Sequence, residues 1–382
     1  VPLALTPLDP ASLPEGARKV LAGPAPLRMM AARGLAPLKP LELVAVLYSL
    51  GIGEDAALRA AAEKSAAELP EKILAGALAD ASLDPRILDF FAPRLAAKPA
   101  LVEVLLLNRA TSDQTVLDLV PKLAERELEL VAVNEQRLLR CPAIIGALYM
   151  NAKTRMSTVD RCVELAVRNR VENPGIPRWD DVVAAVTGAR KPKGEMAEVP
   201  DESAADAAFA AVAQVAVGPD APQFGTAASG DDLEVVNQTE DAKVEEEKKD
   251  LPINQLSVAG KIRLATLGNA FARAILIRDP IKMVALAAIN SPGTTDNEVI
   301  KYSANRALAD DVIRVIANTK EWTKLYQVKV NLTNNPKCPL PVSMRLLPFL
   351  HDRDLRNVAR SKNIPSALTA QARKLLASKG QG

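Results

Sequence analysis

The chain has 382 residues, of which 48% are hydrophobic but only 3% aromatic, with 48 Lys and Arg set against 46 Asp and Glu. So much apolar content excludes disorder throughout, and a core of Ala, Leu and Val with few rings favours packed helices over sheets, whose positions prefer aromatic and β-branched residues. Cys141, Cys162 and Cys338 are scattered and odd in number, which excludes a simple disulfide framework, fits a reducing compartment and reads as structural thiols in apolar surroundings.

The first 16 residues, VPLALTPLDPASLPEG, are broken by Pro2, Pro7, Pro10 and Pro14 and lack a basic leader region, so they read as an N-terminal extension rather than a secretory signal. No uncharged apolar run reaches the roughly 18 to 20 residues that span a bilayer, so no membrane role and a cytoplasmic location are expected. From 17 to 187 the pattern is one of short helices. Pro40 opens a segment with Leu43, Val44, Leu47 and Leu50 at helical spacing, which Gly51 or Gly53 ends. Leu69-Pro70 introduces Ile73, Leu74, Ala77 and Leu78; Asp84-Pro85 introduces Ile87, Leu88 and Phe91; Lys98-Pro99 introduces Leu101, Val102, Leu105 and Leu106. Such short helices are stable only when their apolar stripes pack on neighbours.

Between 188 and 252 the character changes. Residues 195–250 carry 15 acidic and 3 basic side chains, the composition of a solvated, mostly disordered linker, although Ser203 to Val217 can form an Ala-rich amphipathic helix with Phe209 and Val212 on one side. The helical pattern resumes over 253–379 with Ile262, Leu264, Leu267, Phe271, Ile275 and Leu276. The halves match: the spacing from Asn134 to Asn151 equals that from Asn318 to Asn335, Arg161 meets Arg345 at the same offset, and Asn108 before RATSDQTV corresponds to Asn290 before SPGTTDNEV. An apolar helix ending in Asn and followed by Thr or Ser is a stop and a start: the spacing predicts Asn in the left-handed conformation at each C-cap, and Thr111, Ser112, Thr154 and Ser157 as N-cap acceptors.

The segment NNPKCPLPVSMRLLPFLHDRDLRNVARSKNIPSAL, with its Asn-Pro break, apolar helix, Asp352 and Asp354 turn and Val358-Ala359 helix, resembles HEAT-like helical repeats, including the leucine-rich-repeat-variant type. The resemblance covers about two thirds of the chain. It implies an all-α, HEAT-like α-solenoid, here two duplicated repeat arrays joined by the acidic linker, and a binding role. No named activity follows from it.

Catalytic and cofactor signatures are missing from the sequence: no phosphate-binding Gly-rich loop, no dinucleotide fingerprint, no nucleophile elbow and no zinc-protease motif. The one histidine, His351, sits beside acidic residues as a turn or capping residue would, and the pairs Asp180-Asp181 and Asp310-Asp311 suit helix starts. No enzyme, metal or cofactor is expected. Charge is the strongest hint. Residues 251–382 hold 20 Lys and Arg against 8 Asp and Glu, and Arg353, Arg356 and Arg360 fall on one helix face with Arg345 upstream and Lys362 just beyond. Two readings follow: a non-catalytic scaffold that binds a protein partner on extended repeat surfaces, or a nucleic-acid or other polyanion binder working through those five cations, masked by the tethered acidic arm.

Overall fold

The structure is a computed structural model and describes residues 5–172, 174–188, 206–207, 209–210, 253 and 256–379. Among the described residues the chain is all-helical, with no strand. It divides into two compact units, Val1–Ile176 and Pro177–Gly382.

The first unit holds α1 (Glu15–Leu21), α2 (Ala25–Ala32), α3 (Pro40–Gly51), α4 (Ala56–Glu68), α5 (Glu71–Leu78), α6 (Pro85–Leu95), α7 (Pro99–Leu107), α8 (Asp113–Leu119), α9 (Glu125–Val133), α10 (Glu135–Arg140), α11 (Ala143–Met150) and α12 (Met156–Arg168). Pro40, Pro85 and Pro99 stand at the first helical position, where the missing N–H has no intrahelical partner to lose. Asp55 and Asp84 cap α4 and α6, accepting backbone N–H bonds of 2.9 Å from Ala57 and Arg86. Most of these helices fall in two rows. α3, α5, α7, α9 and α11 pack each on the next, and so do α2, α4, α6 and α8. The apolar stripes read from sequence lie inside, except that Ile73 is 36% exposed. Residues before α1 are also packed: Leu8 and Leu13 are buried, and the Tyr48 hydroxyl donates to the Thr6 carbonyl at 2.7 Å.

The second unit contains α13 (Trp179–Gly188), α14 (Val258–Leu267), α15 (Ala270–Leu276), α16 (Lys282–Ile289), α17 (Asp296–Ala304), α18 (Asp310–Asn318), α19 (Tyr326–Asn334), α20 (Leu340–Leu346), α21 (Asp352–Arg360) and α22 (Ser366–Lys379). α13, grouped by sequence with residues 17–187, packs on α14 in this unit. α14, α16 and α18 form one row and α17, α19 and α21 another, with α22 against α21. Leu347, Leu350, Leu355, Val358, Leu368 and Ala372 close the C-terminal core. Most of the acidic stretch lies outside the described residues. Phe209 is described, and it is buried with the Arg263 guanidinium 4.6 Å from its ring centre.

The Asn positions work differently from the expectation. Asn108, Asn151 and Asn335 follow α7, α11 and α19 in extended backbone, with φ of −70°, −88° and −91°, not in the left-handed region. Their side chains do the capping. Each Oδ1 accepts the N–H two residues on, from Ala110, Lys153 and Lys337. Each Nδ2 reaches back about one helical pair: Asn108 to the Leu78 and Asp80 carbonyls (2.6 and 3.0 Å), Asn151 to Val120 (2.7 Å), Asn335 to Ser303 and Asn305 (3.0 and 3.3 Å). Asn290 instead bonds its own helix at Leu286. Of the expected N-caps only Ser112 serves, accepting from the Thr115 N–H at 3.1 Å. Thr111 donates to the Leu105 carbonyl, Thr154 Oγ1 is buried with no hydrogen-bond partner among the described residues, and Ser157 lies inside α12. Asn108→Ala strips the donor from two carbonyls and is expected to cost about 1–3 kcal/mol, read as faster amide exchange in α7 and in the turn after α5.

Candidate functional site

Two features stand out, one anticipated and one not. The anticipated one is the basic face of the C-terminal helices. Asp352 and Asp354 lie in the first turn of α21, where carboxylates favour the helix dipole, rather than in a preceding turn. Leu355, Val358 and Ala359 face the core, so Arg353, Arg356 and Arg360 are left on the outer side and are exposed. Arg345, at the end of α20, and Lys362 are exposed as well. No ion pair engages Arg345, Arg356, Arg360 or Lys362 among the described residues, whereas Arg353 has an interaction partner.

Beside this face, Phe349 is 62% exposed, with the Lys329 ammonium 5.7 Å from its ring centre. His351 occupies the N-cap position of α21, as expected, but caps nothing with its side chain; its ring stacks on Tyr326 at 4.2 Å, and its backbone N–H donates to the Tyr326 hydroxyl at 2.9 Å. That hydroxyl donates to Asp354. The cluster fixes how α21, and so its arginine row, meets α19.

The unanticipated feature is a cavity of about 940 Å³ in the first unit, bounded by α6, α8, the turn Val120–Lys122 and Ala147 of α11. Phe90, Ala92, Pro93, Leu117 and Pro121 give it apolar walls. Asp89 lines it too. Its Oδ1 accepts from Ser112 Oγ at 3.1 Å and from Thr115 Oγ1. Its Oδ2 is out of contact with solvent and has no hydrogen-bond partner among the described residues. Burial pushes the Asp89 carboxyl above its usual range; Ser112 pulls it down, and the carboxylates of Asp118 and Asp84 add to the rise. Arg94, at the same cavity, lies 3.8 Å over the Phe90 ring and gives its other bonds to the Phe90 carbonyl and Glu63.

Two of the three cysteines, Cys162 and Cys338, are buried. Burial pushes the Cys162 thiol up to about 12 and raises Cys338, so neither forms a thiolate near neutrality. Cys141 is only half-buried, at the junction of α10 and α11, not enclosed as expected. Asp180, Asp181, Asp310 and Asp311 occupy first turns of helices, as their pairing suggested. Among the described residues no group of three or more His, Cys, Asp or Glu is placed to hold a metal ion, and no helix is long and apolar enough to cross a membrane. No match to this chain was found among protein-family models, curated proteins or solved structures.

Proposed function

We propose that the chain is a non-catalytic scaffold, built from HEAT-like helical repeats, that binds a protein partner. The observation that carries this reading is a set of large aliphatic side chains left in water at matching places. Leu107 (65% exposed), Val133 (71%) and Met150 (38%) end α7, α9 and α11, neighbours in one row, and each immediately precedes the Asn that follows its helix. Exposed apolar residues recurring at one end of stacked helices suit a partner surface better than solvent. The repeat reading is supported by ties between residues about 30 apart, such as Arg94 to Glu63, Arg137 to the Leu106 carbonyl and Asn331 to the Ile300 carbonyl. The duplication is supported by Asn151 and Asn335, which fill the same role at the offset relating Asn134 to Asn318.

The test is capture from native lysate with the full chain and with a Leu107→Asp, Val133→Asp, Met150→Asp variant whose helical circular dichroism matches the parent. A partner retained after nuclease and lost with the variant supports the scaffold; a partner indifferent to the triple change argues against it.

The exposed cations on α20 and α21 favour a second reading, polyanion binding. Replacing Arg345, Arg356, Arg360 and Lys362 together by Gln is then expected to reduce the slope of log affinity against log salt, for a duplex DNA fragment, by about 3 to 4. An unchanged slope rejects these residues as phosphate contacts. Masking by the acidic arm belongs to the same reading, and removal of residues 195–250 tightens binding if it holds.

A further inference from the structure

The cavity beside Asp89 is a cleft open to solvent rather than an enclosed packing void, with exposed Asp118, Pro121 and Lys122 among its lining, and its volume of about 940 Å³ lies in the range of sites for small organic ligands. Its walls are mainly apolar, yet one residue brings a surplus of acceptors to it. Asp89 Oδ2 has no donor among the described residues and is closed off from solvent as the side chain stands; a partial turn about the soft terminal torsion, short of the half-turn that merely swaps two identical oxygens, would present it to the cavity. The Asp89 main-chain carbonyl is also deprived: its regular helical donor would be the N–H of residue 93, and that residue is proline, inside α6. A carboxylate withdrawn from water and short of donors is costly unless a donor is supplied.

The sign of the missing group follows from the neighbours. Asp84 and Asp118 add negative potential at Asp89. Of the cations lining the cavity, Arg94 is held by the Phe90 carbonyl, the Phe90 ring and Glu63, and Lys122 is exposed to solvent. An anion would meet repulsion there and no available buried cation. We propose that this cavity is a binding site for a small apolar molecule carrying a primary ammonium group, the ammonium bonded to Asp89 and the apolar body against Phe90, Leu117 and Pro121.

Three probes sharing a phenyl group decide it by calorimetry on the full chain: phenethylammonium, phenethyl alcohol and phenylacetate. Phenethylammonium is expected to bind saturably and at least about tenfold more tightly than the alcohol, the size of one charged hydrogen bond, with phenylacetate weakest. Asp89→Asn keeps the shape and is expected to erase the preference for the amine while leaving the alcohol within about twofold. Leu117→Trp, which puts added bulk at the apolar wall where the phenyl group would rest, is expected to weaken binding of both; the isosteric Asp89→Asn remains decisive if the added bulk disturbs folding. No saturable binding of the amine, equal affinity for amine and alcohol, tighter binding of phenylacetate, or an amine affinity unchanged in Asp89→Asn would each overturn the proposal.

Discussion

Replacing Arg273 by methionine is expected to destabilise the second unit by about 3–5 kcal/mol, because it leaves a buried carboxylate without its counter-ion. Arg273 is 5% exposed and grips Glu298 with both ends of its guanidinium fork, Nε to Oε1 at 2.9 Å and Nη2 to Oε2 at 3.0 Å, while Nη1 donates to the Gly268 carbonyl at 2.7 Å. Gly293 makes room for the fork: a Cβ there would stand 2.9 Å from Nη1. Glu298 also closes the capping box of α17, accepting from the Thr295 N–H and hydroxyl at 2.9 Å each.

Burial pushes the Glu298 carboxyl up, but the bonds from Arg273 and Thr295 outweigh it and hold the carboxyl below its ordinary value. A carboxyl lowered on folding contributes stability that is fully present above the unfolded value and lost as pH falls through the folded one. In Arg273→Met burial, the cap and a 3.4 Å bond from the Tyr302 hydroxyl remain without the counter-ion, so protonation relieves the orphaned charge and the deficit narrows in acid. Glu298→Gln in the same chain keeps the capping box, which accepts Gln at that position, and is expected to recover part of the loss. Both tryptophans, Trp179 and Trp322, lie in this unit, so their emission during urea unfolding reads it selectively. A deficit below about 1 kcal/mol, or one that widens in acid, would contradict the assignment.

Local rules made parts of this structure legible. Pro40, Pro85 and Pro99 announce helix starts because the constraint lies within one residue, and Leu101, Val102, Leu105 and Leu106 fall on one buried face because periodicity is local. The arginine row on α21 was visible for the same reason. The Asn positions are visible in the sequence as punctuation, but their mechanism is not: the donors' targets lie about 30 residues upstream, whereas the left-handed C-cap is the local solution that spacing alone suggests. Asp89 was invisible. Its partners Ser112 and Thr115 sit on the next helix of the row, and nothing in DFFAPR says that the carboxylate is withdrawn from water. The nearest signal was Pro93 within an otherwise regular apolar segment, which marks a carbonyl without its helical donor. Acidic residues such as Asp352 and Asp354 suit both turns and first helical turns, and only packing of Leu355 and Val358 decides between them.

Phe90 links the first unit's stability to its cavity. The ring is 1% exposed, meets Tyr48 edge-on at 5.7 Å and Phe91 at 5.3 Å, and carries the Arg94 guanidinium on its face. It also presses on α3 where only glycine fits, a Cβ at Gly51 standing 2.6 Å from the ring. Phe90→Ala removes the area, the edge contacts and the cation–π contact together, and the cavity already beside it offers no side chain to fill the gap, so the loss belongs near the upper end of about 3–5 kcal/mol. Phe90→Leu retains most of the volume and is expected to cost less than half as much. Because the first unit contains no tryptophan, Phe90→Ala should lower the urea midpoint seen by far-ultraviolet circular dichroism while the tryptophan midpoint stays in place. Equal shifts in both signals would mean that the two units unfold as one, and a shift in neither would remove Phe90 from the core it is described as supporting.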